Sequence, residues 1–254
     1  MSLRSALRPI STALLFLSTI APLGLAVTRE FAQSYPLKSD GSFELSNVNG
    51  TVLVEGWDKD VVEVRAVETT TDRESNLDLV SIDVAARPGA LTISTRYPQD
   101  EGVEVAVDYT IHVPRHAQLA RINNVNGALK VMDLESLGDL HTVNGNIEVL
   151  DSSGDVHAHT TNGNVYLELK HSADSRGAFA ETTNGSVLLA IPEDLQADLE
   201  ARCMNGSFSS ELPVVMRSAA QPRVLHGKLG HGGAPIRLGT INGTIRVVAL
   251  RSTV

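Results

Sequence analysis

A chain of 254 residues with 42% apolar and 20% charged side chains can bury a substantial core, which excludes wholesale disorder and coiled-coil or collagen-like structure. Aromatic residues supply only 4% of it, so Val, Ile, Leu and Ala must fill that core, as they do in thin layers of stacked strands. The formal charge of -9 speaks against a nucleic-acid partner, whose phosphates such a surface repels.

At the N-terminus, residues 1–9 carry Arg4 and Arg8 with no acid, and residues 10–27 are largely apolar. This pattern predicts a secretory signal peptide over residues 1–26, with the small residues around Leu25 allowing cleavage after Ala26. Pro22, Ser11, Thr12, Ser18 and Thr19 disfavour a spanning helix, so an uncleaved leader would be the only membrane attachment. The expected product is exported, to the periplasm or to the cell surface and medium, with 19 basic against 30 acidic side chains. Its single cysteine, Cys203, rules out internal disulfides and a thiol-rich zinc site, and reads as a small buried hydrophobe.

Along the remaining chain, residues 51–115 hold alternating runs at 61–67, 79–85, 91–95 and 103–113, separated by turns bearing Asp, Pro and Gly. They predict strands of a wider N-terminal section. From residue 116 onward a repeat dominates. Asn-Gly occurs at Asn49, Asn126, Asn144, Asn162, Asn184, Asn205 and Asn242, with central spacings of 18, 18, 22 and 21 residues, the length of one β-solenoid coil.

The columns of that repeat test the idea, since stacked coils must keep the same inward or outward choice at each position. Four residues before each Asn stand Leu45, Ile122, Leu140, Ala158, Ala180, Ala201 and Leu238. Three after it stand Val52, Leu129, Ile147, Val165, Val187, Phe208 and Ile245. Both columns predict inward residues. The column between, Ser46, Asn123, His141, His159, Glu181, Arg202 and Gly239, belongs in water. Two before each Asn come Asn47, Asn124, Thr142, Thr160, Thr182, Cys203 and Thr240, small residues on the inward parity. The rival reading is a β-meander in which each Asn-Gly closes a hairpin, the commonest local use of the dipeptide. Matched columns favour parallel stacking instead.

The Asn column is expected to stack its amides into a structural ladder or to cap corner backbone groups, with glycine supplying positive φ at each corner. Gly138, Gly154 and Gly177 mark a second turn per coil. Between Asn205 and Asn242 a Gly-rich stretch, residues 227–233, predicts a hairpin or a missing corner. Residues 193–201 are the only weak helix candidate. Strand edges at the terminal coils are expected to be open, which would allow copies to associate end to end.

The run YPLKSDGSFELSNVNGTVLVEGWD, the segment VDYTIHVPRHAQL, the NVNG/TVNG/TTNG series and GKLGHGGAPIRLGTINGTI together resemble a bacterial family of secreted β-repeat proteins provisionally named adhesins, built on a domain of unknown function. The resemblance spans about residues 34–250. It implies an all-β, parallel β-solenoid, a right-handed β-helix, forming one domain over residues 27–254 in the cell envelope, with no catalytic residues to carry over.

Chemical motifs are mostly absent. His231-Gly232-Gly233 is like a lipase oxyanion segment, but no G-x-S-x-G elbow supplies a nucleophile. There is no phosphate loop, dinucleotide fingerprint or H-E-x-x-H, so no cofactor is expected. The acidic pairs Asp58/Asp60 and Glu193/Asp194 fall in turns, where solvated acids are ordinary. Four repeats read N-G-S/T, which the repeat itself explains. The densest set of ligand-type side chains is His141 against His159, and Asp139 against His157, one strand apart, with Glu181 extending the column, a candidate patch for zinc, nickel or copper. Two classes of function follow. One is a non-enzymatic envelope protein, adhesin-like or a scaffold, presenting a rigid acidic β-face to an envelope glycan, a protein or its own copies. The other is a carbohydrate-active β-helix enzyme, a lyase or hydrolase, which would need carboxylates, Arg and aromatics converging on one groove.

Overall fold

The computed structural model describes residues 26–98, 102–170, 177–216 and 223–250. The expected leader, residues 1–26, lies outside them except for Ala26. Period-2 alternation dictates strands along almost the whole described chain. The first section supplies β1 (Val27–Pro36), β2 (Ser42–Ser46), β3 (Val52–Trp57), β4 (Val61–Thr70), a 3-10 turn (Glu74–Leu79), β5 (Ser81–Arg87), β6 (Ala90–Arg96) and β7 (Ala106–Pro114). The repeat supplies β8 (Gln118–Asn123), β9 (Leu129–Met132), β10 (Asp139–Asn144), β11 (Ile147–Ser152), β12 (Val156–Asn162), β13 (Val165–Leu169), β14 (Ala178–Asn184) and β15 (Val187–Ile191). The chain then runs through β16 (Ala197–Ser210), β17 (Val214–Met216), β18 (Val224–Leu229) and β19 (Ala234–Ala249).

Strands before each Asn-Gly stack in one column and strands after it in a second, and the pairing within each is parallel and in register. Leu140 faces Ala158 and Ala158 faces Ala180, while Ile147 faces Val165 and Val165 faces Val187. Each Asn-Gly is therefore a corner between columns, and the hairpin alternative falls. Inward side chains of both columns meet in a single cluster that includes Leu45, Ile122, Leu140, Ile147, Val165 and Val187, all at most 1% exposed. At the second turn Gly154 has φ of 92°, and Gly138 lets the chain pass against the carbonyls of Leu119 and Ala120.

Spatial order departs from chain order at both ends. The first column runs β5, β6, β2, β8, β10, β12, β14, then the leading halves of β19 and β16, then β18 and β17. The second runs β1, β4, β7, β3, β9, β11, β13, β15, then the trailing halves of β19 and β16. The first coil in sequence, β2–β3, is thus sandwiched between β6–β7 and β8–β9. The last strand, β19, is inserted between the β14–β15 coil and β16. The wider N-terminal section is one more coil plus antiparallel flanking strands.

Three expectations need correction. Residues 193–201 are not helical but lead into β16, because Ala197, Leu199, Ala201 and Cys203 alternate inward, and tertiary burial of that period-2 face overrides helix propensity. The end coils are not left bare, since antiparallel β5, β4 and β1 cover one end, and β18 and β17 cover part of the other. Among the described residues, the trailing part of β16, residues 208–210, has only β19 beside it.

The third concerns the corner glycines. Gly50 and Gly127 have φ of 118° and 137°, but Gly145 and Gly163 lie outside the positive range, so left-handed geometry is not what every corner demands. Close approach is. A Cβ on Gly127, Gly145, Gly163 or Gly185 would come 1.9–2.0 Å from the carbonyl oxygen of the glycine one coil before it. Each glycine N–H in turn donates to the Asn carbonyl of the following coil, as Gly145 does to Asn162 at 3.0 Å. Gly163→Ala therefore forces the corner open and should cost about 3 kcal/mol, against about 1 kcal/mol for Gly89→Ala, which meets open space and pays only for its positive φ. Urea denaturation of the two variants checks the difference.

Candidate functional site

Two sets of polar side chains stand out: one at the corners, the other on the outer face of the first column. At the corners the seven Asn side chains form one unbroken chain of amides. Asn126 donates to Asn49, Asn144 to Asn126, Asn162 to Asn144, Asn184 to Asn162, Asn242 to Asn184 and Asn205 to Asn242, each Nδ2 to Oδ1 at 2.8–2.9 Å. The order follows space, so Asn205 terminates the ladder beyond Asn242. All its bonds are exposed. Beneath it lies a buried companion column: Thr142, Thr160, Thr182 and Thr240 donate Oγ1 to the carbonyls of Gly127, Gly145, Gly163 and Gly185 at 2.8–3.2 Å. Cys203 sits in that column, its Sγ 3.3 Å from the Gly243 carbonyl, and burial pushes its thiol pKa up. In the first coils Asn47 and Asn124 replace threonine, each donating Nδ2 to two backbone carbonyls and leaving Oδ1 without a partner.

Location decides the energetics of these two columns. An exposed amide bond exchanges with water, so Asn144→Ala should cost about 0.5–1.5 kcal/mol, whereas Thr160→Val strips the donor from a buried corner and should cost about 1–3 kcal/mol. Thermal or urea unfolding of both variants tests that order.

On the outer face, cross-strand register assembles residues far apart in sequence. One row reads Arg121, Asp139, His157, Phe179, Arg237 and Glu200; the next reads Asn123, His141, His159 and Glu181. The first row alternates in character, with Arg121 3.8 Å and His157 Nδ1 3.3 Å from Asp139, and Arg237 3.9 Å from Glu200. Phe179 meets the His157 ring edge-on at 4.5 Å and carries the Arg237 guanidinium 5.1 Å from its ring centre. From Arg121 and Asn123 to Phe179 and Glu181 the two rows line an open groove of about 440 Å³ across the coils, with Arg237 just beyond its rim against Phe179. Asp139, His141, His157, His159 and Glu181 all border it, as the repeat columns predict. Arg121 and Arg237 were not among the expected site residues. Their signal was the register itself, which sets Arg121 beside Asp139 and, across a long excursion of chain, Arg237 beside Phe179.

These side chains do not converge on a common point in this structure. Among the described residues no group of three or more His, Cys, Asp or Glu is placed to hold an ion. The His141 and His159 rings stack at 5.3 Å and 2° from parallel, so their nitrogens lie side by side rather than converging. His157 turns toward Asp139 and Phe179 instead, and Glu181 continues the flat row. A pleated face spreads donors where a metal needs them wrapped. Nor is the face acidic: arginines offset its carboxylates. The acids gather along the second-turn edge, at Asp58, Asp60, Asp133, Glu135, Asp151, Glu193 and Asp194.

The family profile called Toastrack DUF4097 matches residues 33–248. The chain belongs to that family. Its Toastrack domain is the all-β, parallel-rich solenoid described above. No curated protein matches the chain with significant sequence similarity. Similar solved structures include a provisionally named cell adhesion protein from Clostridium sporogenes, 11% identical, covering 87% of this chain and all of that one at a TM-score of 0.49. A provisionally named adhesin from Bacteroides fragilis, also 11% identical, covers 87% of this chain and 97% of its own at 0.38. A provisionally named lipid-binding protein from Parabacteroides distasonis, 10% identical, covers 87% and 97% at 0.31. At these scores and identities the names carry no argument about what this Toastrack domain binds. No helix among its described residues is long and apolar enough to cross a membrane.

The position of His141 in the stack makes stability pH-sensitive. Burial first, and the neighbouring His159 second, hold His141 below the ordinary imidazole pKa. The unfolded chain therefore binds more protons here than the folded one, so stability is complete above about pH 6.5 and falls as the pH drops through that value. Replacing His141 with Asn should flatten the decline in melting temperature between about pH 7 and about pH 5.

Proposed function

We propose that this protein is a non-enzymatic, exported cell-envelope scaffold, adhesin-like in role, which holds a glycan against the groove on the outer face of its first strand column. The observation that carries this reading is the row through Arg121, Asp139, His157, Phe179 and Arg237, in which aromatic, imidazole and charged groups stand on strands locked into a packed stack. Such a surface is organised before the ligand arrives, so little ordering cost opposes binding. Ring faces suit the C–H surfaces of a sugar, while Asn123, Asp139, Glu181 and the imidazoles supply donors and acceptors for hydroxyls. Matched positive and negative groups favour a neutral chain over a strongly charged one. Export is supported by the leader pattern of residues 1–26, and β1 begins at Val27, the residue that would follow cleavage after Ala26.

The non-enzymatic part of the proposal rests on how the groove carboxylates are engaged. Asp139 is held between Arg121 and His157, which suits a fixed surface better than a proton donor or nucleophile. Binding of residues 27–254 to an array of envelope glycans and peptidoglycan fragments tests the reading. Phe179→Ala should lower affinity at least about tenfold for any glycan retained, with melting temperature nearly unchanged because Phe179 lies on the outer parity. Retention unaffected by the substitution would remove the groove from the function, and cleavage of any glycan in the panel would move the protein to the lyase or hydrolase class.

A further inference from the structure

The seven Asn-Gly pairs are alike in sequence but not in their surroundings. Asn-Gly is the dipeptide best suited to intramolecular deamidation, because a glycine backbone nitrogen can reach the preceding side-chain carbonyl with no Cβ in the way. In this fold the reaction is blocked at most sites by the bond that builds the corner. Gly50, Gly127, Gly145, Gly163 and Gly185 each donate N–H to the Asn carbonyl of the next coil at 2.9–3.0 Å. The amides of Asn49, Asn126, Asn144, Asn162, Asn184 and Asn242 are each an acceptor in the ladder, which fixes the carbonyl carbon that would be attacked.

Asn205–Gly206 differs on every count. It occupies the last rung, with β19 on one side and no described strand on the other. In the repeating pattern the glycine N–H points to the next coil, and among the described residues no coil follows beyond Gly206. Asn205 donates Nδ2 to Asn242 at 2.9 Å, and among the described residues nothing donates to its Oδ1. Met204, Asn205, Gly206 and Ser207 are all exposed.

We propose that Asn205 is a site of spontaneous deamidation, selected from the seven by its place at the open end of the amide ladder. The Gly206 nitrogen bonds to Cγ of Asn205, the side-chain nitrogen leaves as ammonia with the proton lost from Gly206, and a five-membered succinimide closes. Water then opens either carbonyl to give aspartate or isoaspartate. The product has no donor for the Asn242 Oδ1, so an acceptor faces an acceptor and the last rung detaches while the six others stay joined. The consequence is a built-in ageing mark at one end of the solenoid, independent of any ligand in the groove.

The test is peptide mapping of the folded full chain after prolonged incubation in mildly alkaline buffer, beside the same chain unfolded in denaturant. Trypsin places Asn205 alone in the peptide 203–217, apart from every other Asn-Gly. In the folded protein, conversion at Asn205 should exceed that at each of the six others by at least about tenfold, with isoaspartyl and aspartyl forms both present. In the unfolded chain the seven should react at similar rates. Equal conversion across the seven sites in the folded protein, faster conversion at an inner rung, or an intact Asn205 over an interval in which the unfolded chain reacts would each overturn the proposal.

Discussion

Everything in this structure depends on how closely two backbones can pass at the Asn-Gly corner. The strands before and after the corner are held one spacing from their neighbours by the parallel ladder, and the corner must stack at that same spacing. Only a glycine lets the carbonyl of one coil sit where the next coil would otherwise place a Cβ, less than 2.1 Å away. Once that contact is made, the glycine N–H and the threonine hydroxyl beneath it both find carbonyl partners at the corners from Gly127 to Gly185. The asparagine ladder is a consequence of the spacing, since amides one coil apart fall into donor-to-acceptor contact.

This arrangement explains why the core needs so few aromatic rings. Two strand columns face one another across a thin interior, and Val, Leu, Ile and Ala repeated at the same position in successive coils fill it layer by layer. The fully buried rings belong to the N-terminal coils: Phe43 on β2, and Tyr109 in the coil added by β6 and β7, with its hydroxyl 2.7 Å from Thr95 and its pKa raised by burial far above the usual tyrosine value. Interleaving at both ends places the first coil and the last strand of the chain inside the stack, so each has a parallel neighbour on both sides. Folding of either end thus waits on segments distant in sequence.

The outward rows are the part of such a scaffold that a ligand can reach. Because every coil repeats the same parity, side chains of unrelated positions are aligned across strands whether or not they cooperate. The groove over Phe179 is the place where the alignment gathers aromatic, imidazole and charged groups together, with rotamers restrained by stacking and cross-strand pairs. Its flatness spreads the side chains along the strands instead of wrapping them around a point.

The sequence by itself determined the repeat, the inward columns and the pairing of His141 with His159 and Asp139 with His157, because in-register stacking converts an 18-residue spacing directly into contact. It also placed Cys203 among the buried threonines. Only the tertiary structure decided the order of coils at the two ends, since parallel pairing has no preference for the nearest coil in sequence once hairpins can carry the chain past it. The same holds for the partnership of Arg237 with Phe179, which exists because β19 returns to lie beside β14. The orientation of the imidazoles was likewise beyond the sequence, for a column fixes where a side chain starts but packing fixes where its nitrogens point. So was the reason for the glycines, which local propensity assigns to positive φ and which the stack assigns to the carbonyl of the neighbouring coil.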